Sequence, residues 1–528
     1  MKPRAIDEGA RKIGCFDKIA TTMIKTDSFT AHAAYILGLT TLALLIPRIM
    51  WDPEAAECIF IIGLVATWRY SWATLHWMRF LTYKHVVFPR WRKSANTLGE
   101  AALPPHVYLL VTSFRIGSET TRRVYASVFR EAIHYGHPVT IVVSIVERAD
   151  QMLIKQLFAL FDPPEHIKLV FVRIGGTGKR DALACGFRAI SRQSPPPGSV
   201  TAVVDGDSML SDGLIAKCAP FFTMFPNLGA LTTDENCEVE GNWLFREWYT
   251  VRFAQRNIYM SSVSLSRRVL TLTGRMSMFR TDIIVDPEFI ERVELDWIDH
   301  WRLGRFKFLT GDDKSSWYHL LSHGYEMLYI PDVDVITIET PPDPSFVKSS
   351  VVLMRRWFGN MLRTNERAIR LGPKIMGWFP WISIIDQRIS MWTSLTGPVL
   401  AILATIAVTP FALVYYILWI GITRYIITIS LLASRPRVSA LYPFFLYYNQ
   451  LVGSLVKTVI LFRLDKQKWT RQNTTLSAQR SSLSERLINF GSSYVHAFSI
   501  VLFVTVLAAG SGMLRLPDFV FWYNLIKY

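Results

Sequence analysis

Two aspartates one residue apart, Asp205 and Asp207, come directly after the apolar run Val200–Val204. Carboxylates at the end of a strand can hold a hard divalent cation, which would bridge the diphosphate of a nucleotide-sugar and neutralise the leaving group. Gly206 between them would let the backbone approach the phosphates. A turn closed by Asp and Gly is the alternative, because the pattern is weak on its own. A calcium-binding loop is disfavoured, since its sixth position is leucine and not glycine.

A second pair of acids, Asp312 and Asp313, stands in front of a helix predicted over Lys314–Ser322. A carboxylate presented at the start of a helix can act as the general base on an acceptor hydroxyl. Ordinary capping explains the same residues equally well, because Asp is a preferred N-cap residue. The residue types alone leave both interpretations open.

A third candidate is the dipeptide of Arg356 and Trp357. An arginine can neutralise a leaving diphosphate, and a tryptophan face can stack on the apolar face of a sugar ring. Anchoring at a membrane surface is the alternative, because Trp and Arg are frequent at such boundaries.

The glycine-rich run Gly175–Arg180 invites comparison with a phosphate-binding P-loop. That pattern needs glycine six residues before the lysine, where this chain has Arg173, and Ser or Thr after it, where Arg180 stands. An NTPase is therefore excluded on this motif. Lys179 and Arg180 could still contact a donor phosphate.

Composition indicates a membrane protein. The 528 residues are 50% hydrophobic with a net charge of +16, and the mean hydropathy is +0.23. In such a chain the distribution of basic residues over the loops indicates which side of the membrane each loop faces. The five cysteines are scattered without a metal-binding spacing, which favours reduced thiols over a disulfide framework.

The N-terminal part predicts a membrane hairpin. Residues 1–30 are basic, have no signal-peptide pattern and are expected in the cytosol. Residues 31–80 hold two apolar stretches, Ala31–Ile49 and Cys58–Phe80, the second interrupted by Arg69 and His76. Basic, acidic and again basic flanks place both ends of this hairpin in the cytosol.

Residues 81–345 have the pattern of a cytosolic α/β domain. Short apolar runs, among them Val107–Thr112 and Val139–Val146, alternate with helical stretches such as Glu119–His134 and Lys179–Ser191. That alternation predicts a parallel sheet with its ligands at the carboxyl ends of the strands. The acidic and glycine-rich motifs fall at such ends.

The C-terminal part predicts interfacial helices at 346–390, a transmembrane region at 391–464, a cytosolic loop at 465–492, and a last transmembrane helix with its tail at 493–528. Three apolar stretches precede the basic loop, whereas a cytosolic loop needs an even number of crossings. The stretch 441–464 is therefore predicted to be re-entrant or interfacial, with the parity open. In the loop, Trp469, Thr470 and Arg471 could close over the donor, or could belong to an ordinary positive loop.

The order of these motifs, flanked by membrane spans, resembles the processive family-2 glycosyltransferases of the GT-A fold, which include cellulose, hyaluronan and chitin synthases. The resemblance covers nearly the whole chain and implies an inverting transfer from a nucleotide-sugar with Mg²⁺ or Mn²⁺ as cofactor. The residue roles that it implies are metal and diphosphate binding by Asp205 and Asp207, diphosphate binding by Lys179 and Arg356, base catalysis by Asp313, the acceptor and channel entrance at Asp312 and Trp357, and gating by Trp469–Arg471.

Two positions depart from the family pattern. Leu353 stands where the family's Gln-x-x-Arg-Trp motif has its glutamine, which removes one polar contact. The paired acids expected after the second strand are replaced by Ser144-Ile145-Val146-Glu147. Glu147 is the best substitute for their contact with the nucleotide.

A narrower resemblance, to the catalytic subunits of bacterial alginate synthases, is carried by further segments, which are 111–116, 176–181, 231–233, 253–256, 273–277, 299–305 and 462–472. It implies GDP-mannuronic acid as donor, a β-1,4 mannuronan product and a partner subunit with a cyclic-di-GMP receptor domain. It also implies a location in the bacterial inner membrane, in contact with lipid and the growing polysaccharide but not with nucleic acid. β-Glucan synthesis from UDP-glucose stays open. Arginines 275, 302 and 305 would suit an anionic donor, although arginine serves any diphosphate.

Two other classes of function are weaker alternatives. A transporter would explain Arg69 within a span, but pairing with a neighbouring helix explains it better. A single-addition, lipid-linked transferase would share the paired aspartates but would not need an Arg-Trp motif after the base.

Overall fold

The computed structural model of the protein describes residues 26–47, 60–469, 474–476 and 482–514. The strands are β1 Val107–Thr112, β2 Val139–Ile145, β3 Ile167–Arg173, β4 Val200–Asp205, β5 Ser208–Leu210, β6 Leu228–Val239, β7 Met276–Arg280, β8 Trp297–His300, β9 Gly304–Lys307, β10 Glu326–Glu339, β11 Gln467–Trp469 and β12 Thr474–Leu476.

The α-helices are α1 Phe29–Leu44, α2 Phe60–Thr82, α3 Phe88–Leu98, α4 Ser118–Tyr135, α5 Arg148–Phe161, α6 Lys179–Ser191, α7 Leu214–Cys218, α8 Pro220–Met224, α9 Trp243–Ser264, α10 Thr281–Ile284, α11 Pro287–Glu294, α12 Asp312–Ser322, α13 Phe346–Met376, α14 Trp378–Ala407, α15 Ala412–Ser430, α16 Tyr442–Leu461 and α17 Ser482–Gly510. A π-helical turn, Tyr83–Val87, joins α2 to α3.

Eight strands form one mixed sheet in the order β3-β2-β1-β4-β7-β6-β10-β5. The first four are parallel, as the alternation of strands and helices predicts. Strand β7 runs antiparallel to both β4 and β6, and β5 runs antiparallel to β10. Strands β6 and β10 pair in parallel. The expectation of a parallel sheet is therefore wrong for β7 and β5, whereas the α/β class is confirmed.

The sheet is covered on both faces, which explains why its central strands are continuous apolar runs. All six residues of β1 are buried. Val107, Leu109 and Val111 pack into one cluster with residues of α4, while Tyr108 and Leu110 pack into another with residues of α6. Because side chains alternate across a strand, this packing fixes the register of β1 against β4, in which Thr112 lies opposite Asp205.

Four helices of the described residues are long and apolar enough to cross a membrane. They are Trp378–Ala407, Ala412–Ala433, Tyr442–Leu461 and Leu483–Gly510. Helix α1 is apolar but only 16 residues long, so the N-terminal hairpin stays a prediction. The region predicted as interfacial, 346–390, contains α13 and the first part of α14, with the break at Gly377 and no boundary at 390.

The chain forms two compact units, one of which combines α1 with residues 401–447. Within it, the Tyr35 ring stacks on Tyr425 at 5.0 Å between centroids. In the other unit, Arg69 of α2 forms an ion pair with Asp386 of α14 at 2.5 Å. This pairing explains a charge in an apolar helix without a transport role.

Candidate active site

One cavity of about 1320 Å³ lies at the carboxyl end of β1 and β4. Its walls also include the start of α6, the turn before α12, one face of α9 and the first half of α13. Pockets for one small ligand usually enclose about 300–1,000 Å³. The cavity is therefore large enough for a nucleotide-sugar and part of an acceptor.

Asp205 and Asp207 enter this cavity from the end of β4. Asp205 is the last residue of the strand, and the backbone N–H of Gly206 donates to the carbonyl oxygen of Thr112 at 2.8 Å. A Cβ on residue 206 would lie only 2.2 Å from Oγ of Ser113. The glycine between the two acids is thus required by the close approach of β1 and not only by a ligand.

Lys179, the first residue of α6, joins the two pairs of acids. Its Nζ lies 2.6 Å from Oδ1 of Asp205 and 3.2 Å from Oδ2 of Asp312. Burial acts against the charged amine, but the two carboxylates outweigh it and raise the pKa of Lys179. The lysine is therefore a fixed cation on the floor of the cavity.

The donor atoms of Asp205 and Asp207 suit a hard divalent cation such as Mg²⁺ or Mn²⁺, because carboxylate oxygens are the ligands these ions prefer. Burial, with a smaller contribution from the neighbouring Asp207, raises the pKa of Asp205 to about 6 against the opposing effect of Lys179. Negative charge is thus crowded at this position, and a bound cation would relieve it.

Asp312 and Asp313 form the first turn of α12. The N-cap position belongs to Gly311, which has a left-handed backbone with φ of +89°, so the alternative that an aspartate only caps this helix does not hold. Burial alone would raise the pKa of Asp312, but Lys179 and Arg180 bring it below its usual range. Burial and the adjacent Asp312 raise the pKa of Asp313.

Asp313 is the better candidate for a base. Asp312 is held by Lys179, whereas no Lys, Arg or His of the described residues forms an ion pair with Asp313. A general base works best when its pKa lies near the operating pH, and a raised pKa moves a carboxylate in that direction.

Buried polar contacts hold the first turn of α12 in place. Asp296, which is fully buried, accepts bonds from Arg367 at 2.7 and 2.9 Å and from Ser315 at 2.6 Å. Arg180 donates to Ser315 at 3.1 Å and to the carbonyl oxygen of Thr310 at 3.2 Å. Arg180 is therefore a support for the helix, and the expectation that it contacts a donor phosphate is wrong.

Helix α13 is tied to the same turn. The hydroxyl of Thr310 donates to Oδ1 of Asn360 at 2.9 Å, and Arg363 donates to the same oxygen at 2.7 Å. Arg356 and Trp357 lie one turn earlier on α13 and line the cavity. The Trp357 ring stacks on Trp248 of α9 with 5.7 Å between centroids.

Other predicted residues lie differently. Leu353, the substitute for a glutamine, is buried and lines the cavity. Glu147 is exposed beside Arg115 at 3.7 Å and is not part of the cavity wall, so the structure does not bring this predicted nucleotide contact into the site. Trp469 ends β11, whose backbone pairs with β12, while Thr470 and Arg471 lie outside the described residues.

The segment before the predicted gating residues does reach the site. The side chain of Gln467 accepts a bond from the backbone N–H of Leu309 at 3.0 Å and donates to the carbonyl oxygen of Lys307 at 2.7 Å. These contacts place β11 beside the strand end that leads to Asp312 and Asp313.

The three arginines considered for an anionic donor are engaged elsewhere. Arg275 lines the cavity but is paired with Glu235 and Glu339. Arg302 donates to Ser492 and to the carbonyl oxygen of Phe462, and Arg305 is exposed near Asp299. Neither of these two lines the cavity, so the expectation that they would suit an anionic donor bound there is wrong.

Sequence reasoning missed Asn360 and Arg252, both in the cavity wall. Spacing carried a signal for each, because residues three or four apart share one face of a helix. Asn360 follows Arg356 by four residues, and Arg252 follows Trp248 by four.

Substituting alanine for Gly274 is expected to weaken nucleotide binding without unfolding the protein. A Cβ on this residue would lie 2.5 Å from Nζ of Lys179 and 2.9 Å from Oδ2 of Asp205, so the ion pair would have to move. The dissociation constant for the donor nucleotide, measured by calorimetry with Mn²⁺ present, should rise about tenfold, which corresponds to ~1.4 kcal/mol. Gly491→Ala is the control, because nothing lies within 4 Å of its Cβ position and the residue does not line the cavity. Unchanged nucleotide binding by Gly274→Ala would show that Lys179 and Asp205 can move away from the added methyl group without loss of affinity.

Known proteins share this architecture. The family described as Glycosyltransferase like family 2 matches residues 104–360. Glycosyltransferase alg8 of Pseudomonas syringae pv. tomato is 50% identical over 474 residues, which are 90% of this chain and 96% of the relative. Glycosyltransferase alg8 of Azotobacter vinelandii is 47% identical over 478 residues, which are 90% of this chain and 97% of the relative.

A more distant likeness is to a solved structure, the mannosyltransferase PcManGT from Pyrobaculum calidifontis in complex with GDP-Man and Mn²⁺. It is 16% identical with a TM-score of 0.45, over 76% of this chain and 98% of that chain. That likeness is too low to carry an argument, whereas the two relatives align along nearly their whole length. The chain therefore belongs to the family-2 glycosyltransferases, as a membrane-associated member close to the catalytic subunits of alginate synthases.

Proposed function

We propose that the chain is a processive, inverting glycosyltransferase that polymerises mannuronan from GDP-mannuronic acid. The observation that supports this most is the meeting of three groups in one cavity: the pair Asp205 and Asp207, the carboxylate of Asp313, which has no ion-pair partner among the described residues, and the dipeptide Arg356 and Trp357. Donor, base and acceptor functions each have a residue there. The alginate synthase relationship supplies the choice of sugar.

The transfer would proceed in one displacement. Asp313 accepts the proton of an acceptor hydroxyl, and that oxygen attacks the anomeric carbon from the side opposite the nucleotide. The new C–O bond forms as the bond from the anomeric carbon to the diphosphate breaks, so the configuration is inverted. The separation of roles between Asp312 and Asp313 follows from Lys179, which holds the first and not the second.

Charge on the departing diphosphate has to be balanced. Lys179 and Arg356 both reach the cavity and carry positive charge toward it. GT-A glycosyltransferases generally use a divalent cation, and Mg²⁺ or Mn²⁺ held by Asp205 and Asp207 would neutralise the diphosphate as a Lewis acid. The ion pair with Lys179 holds the Asp205 carboxylate in position for this role.

Processivity and export are the finer part of the proposal. Trp357 would stack on the growing chain at the entrance to the membrane region. The chain carries helices after the catalytic domain that are long and apolar enough to cross a membrane, as export of the product requires. The segment Trp469–Arg471 would gate the donor side, as its neighbour Gln467 already contacts the cavity's edge. We expect the bacterial inner membrane as location, and a partner subunit with a cyclic-di-GMP receptor domain.

The test is nucleotide release by the purified full-length protein with the partner encoded beside it, in Mg²⁺ or Mn²⁺. GDP-mannuronic acid and UDP-glucose are compared as donors. We expect GDP release and a long product that alginate lyase degrades. UDP release with a glucanase-sensitive product would replace mannuronan by β-glucan, and a product extended by a single sugar would contradict processivity.

A further inference from the structure

Some of the arginines in the cavity wall are already paired with carboxylates of the protein, so their charge is not available to a ligand. Arg256 and Arg275 both contact Glu235, at 3.2 and 3.1 Å. Arg275 also contacts Glu339 at 2.6 Å. Two guanidinium groups are thus balanced by two carboxylates, and this part of the wall presents no net charge.

Arg252 differs from both. It lies on α9, one turn before Arg256, and its side chain is half-buried in the cavity wall. Among the residues that the structure describes, no carboxylate comes within ion-pair distance of its guanidinium, and no hydrogen-bond partner contacts it. Glu339 is near enough to act on it electrostatically but is already held by Arg275.

Aromatic rings hold this guanidinium instead. Its central carbon lies 4.1 Å from the centroid of the Trp357 ring and 4.8 Å from that of Trp248. Such contacts stabilise a cation and fix its plane, but they leave its N–H donors without acceptors. Burial lowers the pKa of Arg252 to about 10, so it stays charged at neutral pH.

A partly buried cation without a counter-ion is unfavourable in the empty site and favourable when a ligand supplies the anion. The planar fork of a guanidinium matches a carboxylate through two parallel hydrogen bonds. The donor's diphosphate has its own cations at Lys179 and Arg356. Arg252 of α9 lies against Trp357 of α13, the residue proposed to stack on the growing sugar chain. We therefore look for its ligand on that chain and not on the nucleotide.

We propose that Arg252 binds the carboxylate of a uronosyl residue in the acceptor chain. This rests on the proposed function, because a neutral glucan would give Arg252 no anion to bind. An acceptor sugar that reaches Trp357 also reaches the guanidinium held on its ring. Arg252 would therefore bind the carboxylate of the sugar beside Trp357, which stacks on the apolar face of the sugar.

The test compares two acceptors of equal length, mannuronate oligosaccharides and the same oligosaccharides with their carboxylates reduced to alcohols. The full-length protein with its partner transfers from GDP-mannuronic acid to each, and KM for the acceptor and kcat are measured. We expect the unchanged protein to favour the carboxylate form. Arg252→Gln should raise KM for that form about 10- to 100-fold, as lost hydrogen bonds to a charged group do, and should remove the preference.

Two variants separate charge from structure. Arg252→Lys keeps the cation and should keep part of the preference, while losing the paired geometry. Arg246→Gln, an exposed arginine on the same helix, should change neither KM. Binding of GDP by each variant reports whether the donor site is intact, because the diphosphate is assigned to Lys179, Arg356 and the cation held by Asp205 and Asp207, and not to Arg252.

Each outcome decides between the alternatives. A preference that survives in Arg252→Gln would overturn the inference, as would equal losses on both acceptors, which indicate a structural role. If the unchanged protein transfers no mannuronate but uses UDP-glucose, the proposed function has failed and the inference fails with it. If mannuronate is transferred without preference between the acceptors, only the inference is overturned.

Discussion

Replacing Asp313 with Asn is expected to reduce sugar transfer to a small residual rate while the donor still binds. The carboxylate lies in the first turn of α12, faces the cavity, and has no cationic partner among the described residues. Asn has nearly the same shape but cannot accept the acceptor's proton. Loss of a general base typically slows a reaction about 10²–10⁴-fold. The measurement is polymer formed from radiolabelled donor, with the dissociation constant for GDP measured in parallel.

The pH dependence gives the prediction a second readout. Burial and Asp312 raise the pKa of Asp313, and a base acts only when deprotonated. The rate of the unchanged protein should therefore rise with pH through that raised pKa and then level off. Residual activity of Asp313→Asn should lack this rise.

Asp312→Asn is the matched control, because it changes the neighbouring acid on the same turn. It removes one of two carboxylates that hold Lys179 and one negative charge beside Asp313. We expect reduced but measurable transfer, with the rise in rate moved to lower pH. Near-normal polymer synthesis by Asp313→Asn, or complete loss confined to Asp312→Asn, would exchange the roles assigned to the two acids.

Local pattern predicted much of the fold. The limits predicted for β1 and for α6 coincide with those observed, because buried strands and amphipathic helices each have a characteristic spacing of apolar residues in the sequence. The antiparallel course of β7 was not predictable in the same way. It pairs with β4 and β6, which precede it by many residues, so its direction depends on how the chain returns after α9.

The site was predicted residue by residue, but the partners of those residues were not. Lys179 looked like a phosphate ligand and is also the link between Asp205 and Asp312. Arg275 looked like a cation for the donor and is neutralised by Glu235 and Glu339. Such pairs join residues far apart in the chain, and composition near a motif carries no information about which charges are already matched.

Two sequence signals point to further residues of the cavity wall. Arg252 stands one helical turn after a tryptophan, a spacing that brings a cation over a ring. Asn360 stands one turn after Arg356 and connects α13 to the turn before the base. The helical spacing of Arg252 and Asn360 can be read from the sequence. The role of each residue depends on a contact with a second element, which the sequence does not give.

Replacing Asp207 with Asn is expected to weaken cation-dependent binding of the nucleotide and to slow transfer. The change removes one of the two carboxylates at the end of β4 while preserving the shape of a side chain that is only 9% exposed. Stabilisation of a leaving group by a metal ion contributes several kcal/mol, so a loss of ~3 kcal/mol would slow turnover about 10²-fold. The measurement independent of activity is Mn²⁺ binding in the presence of GDP, followed by electron paramagnetic resonance.

The pH dependence of that binding follows from Asp205. Since burial holds its pKa at about 6, protons compete with the cation below that pH, and the affinity for Mn²⁺ should rise as the pH increases through about 6. In Asp207→Asn the neighbouring charge that raises this pKa is gone, so the rise should move to lower pH as well as weaken. Asp212→Asn, an exposed acid beyond β5, should alter neither quantity. Unchanged Mn²⁺ binding by Asp207→Asn would place the cation elsewhere, and would leave Lys179 and Arg356 to balance the diphosphate without it.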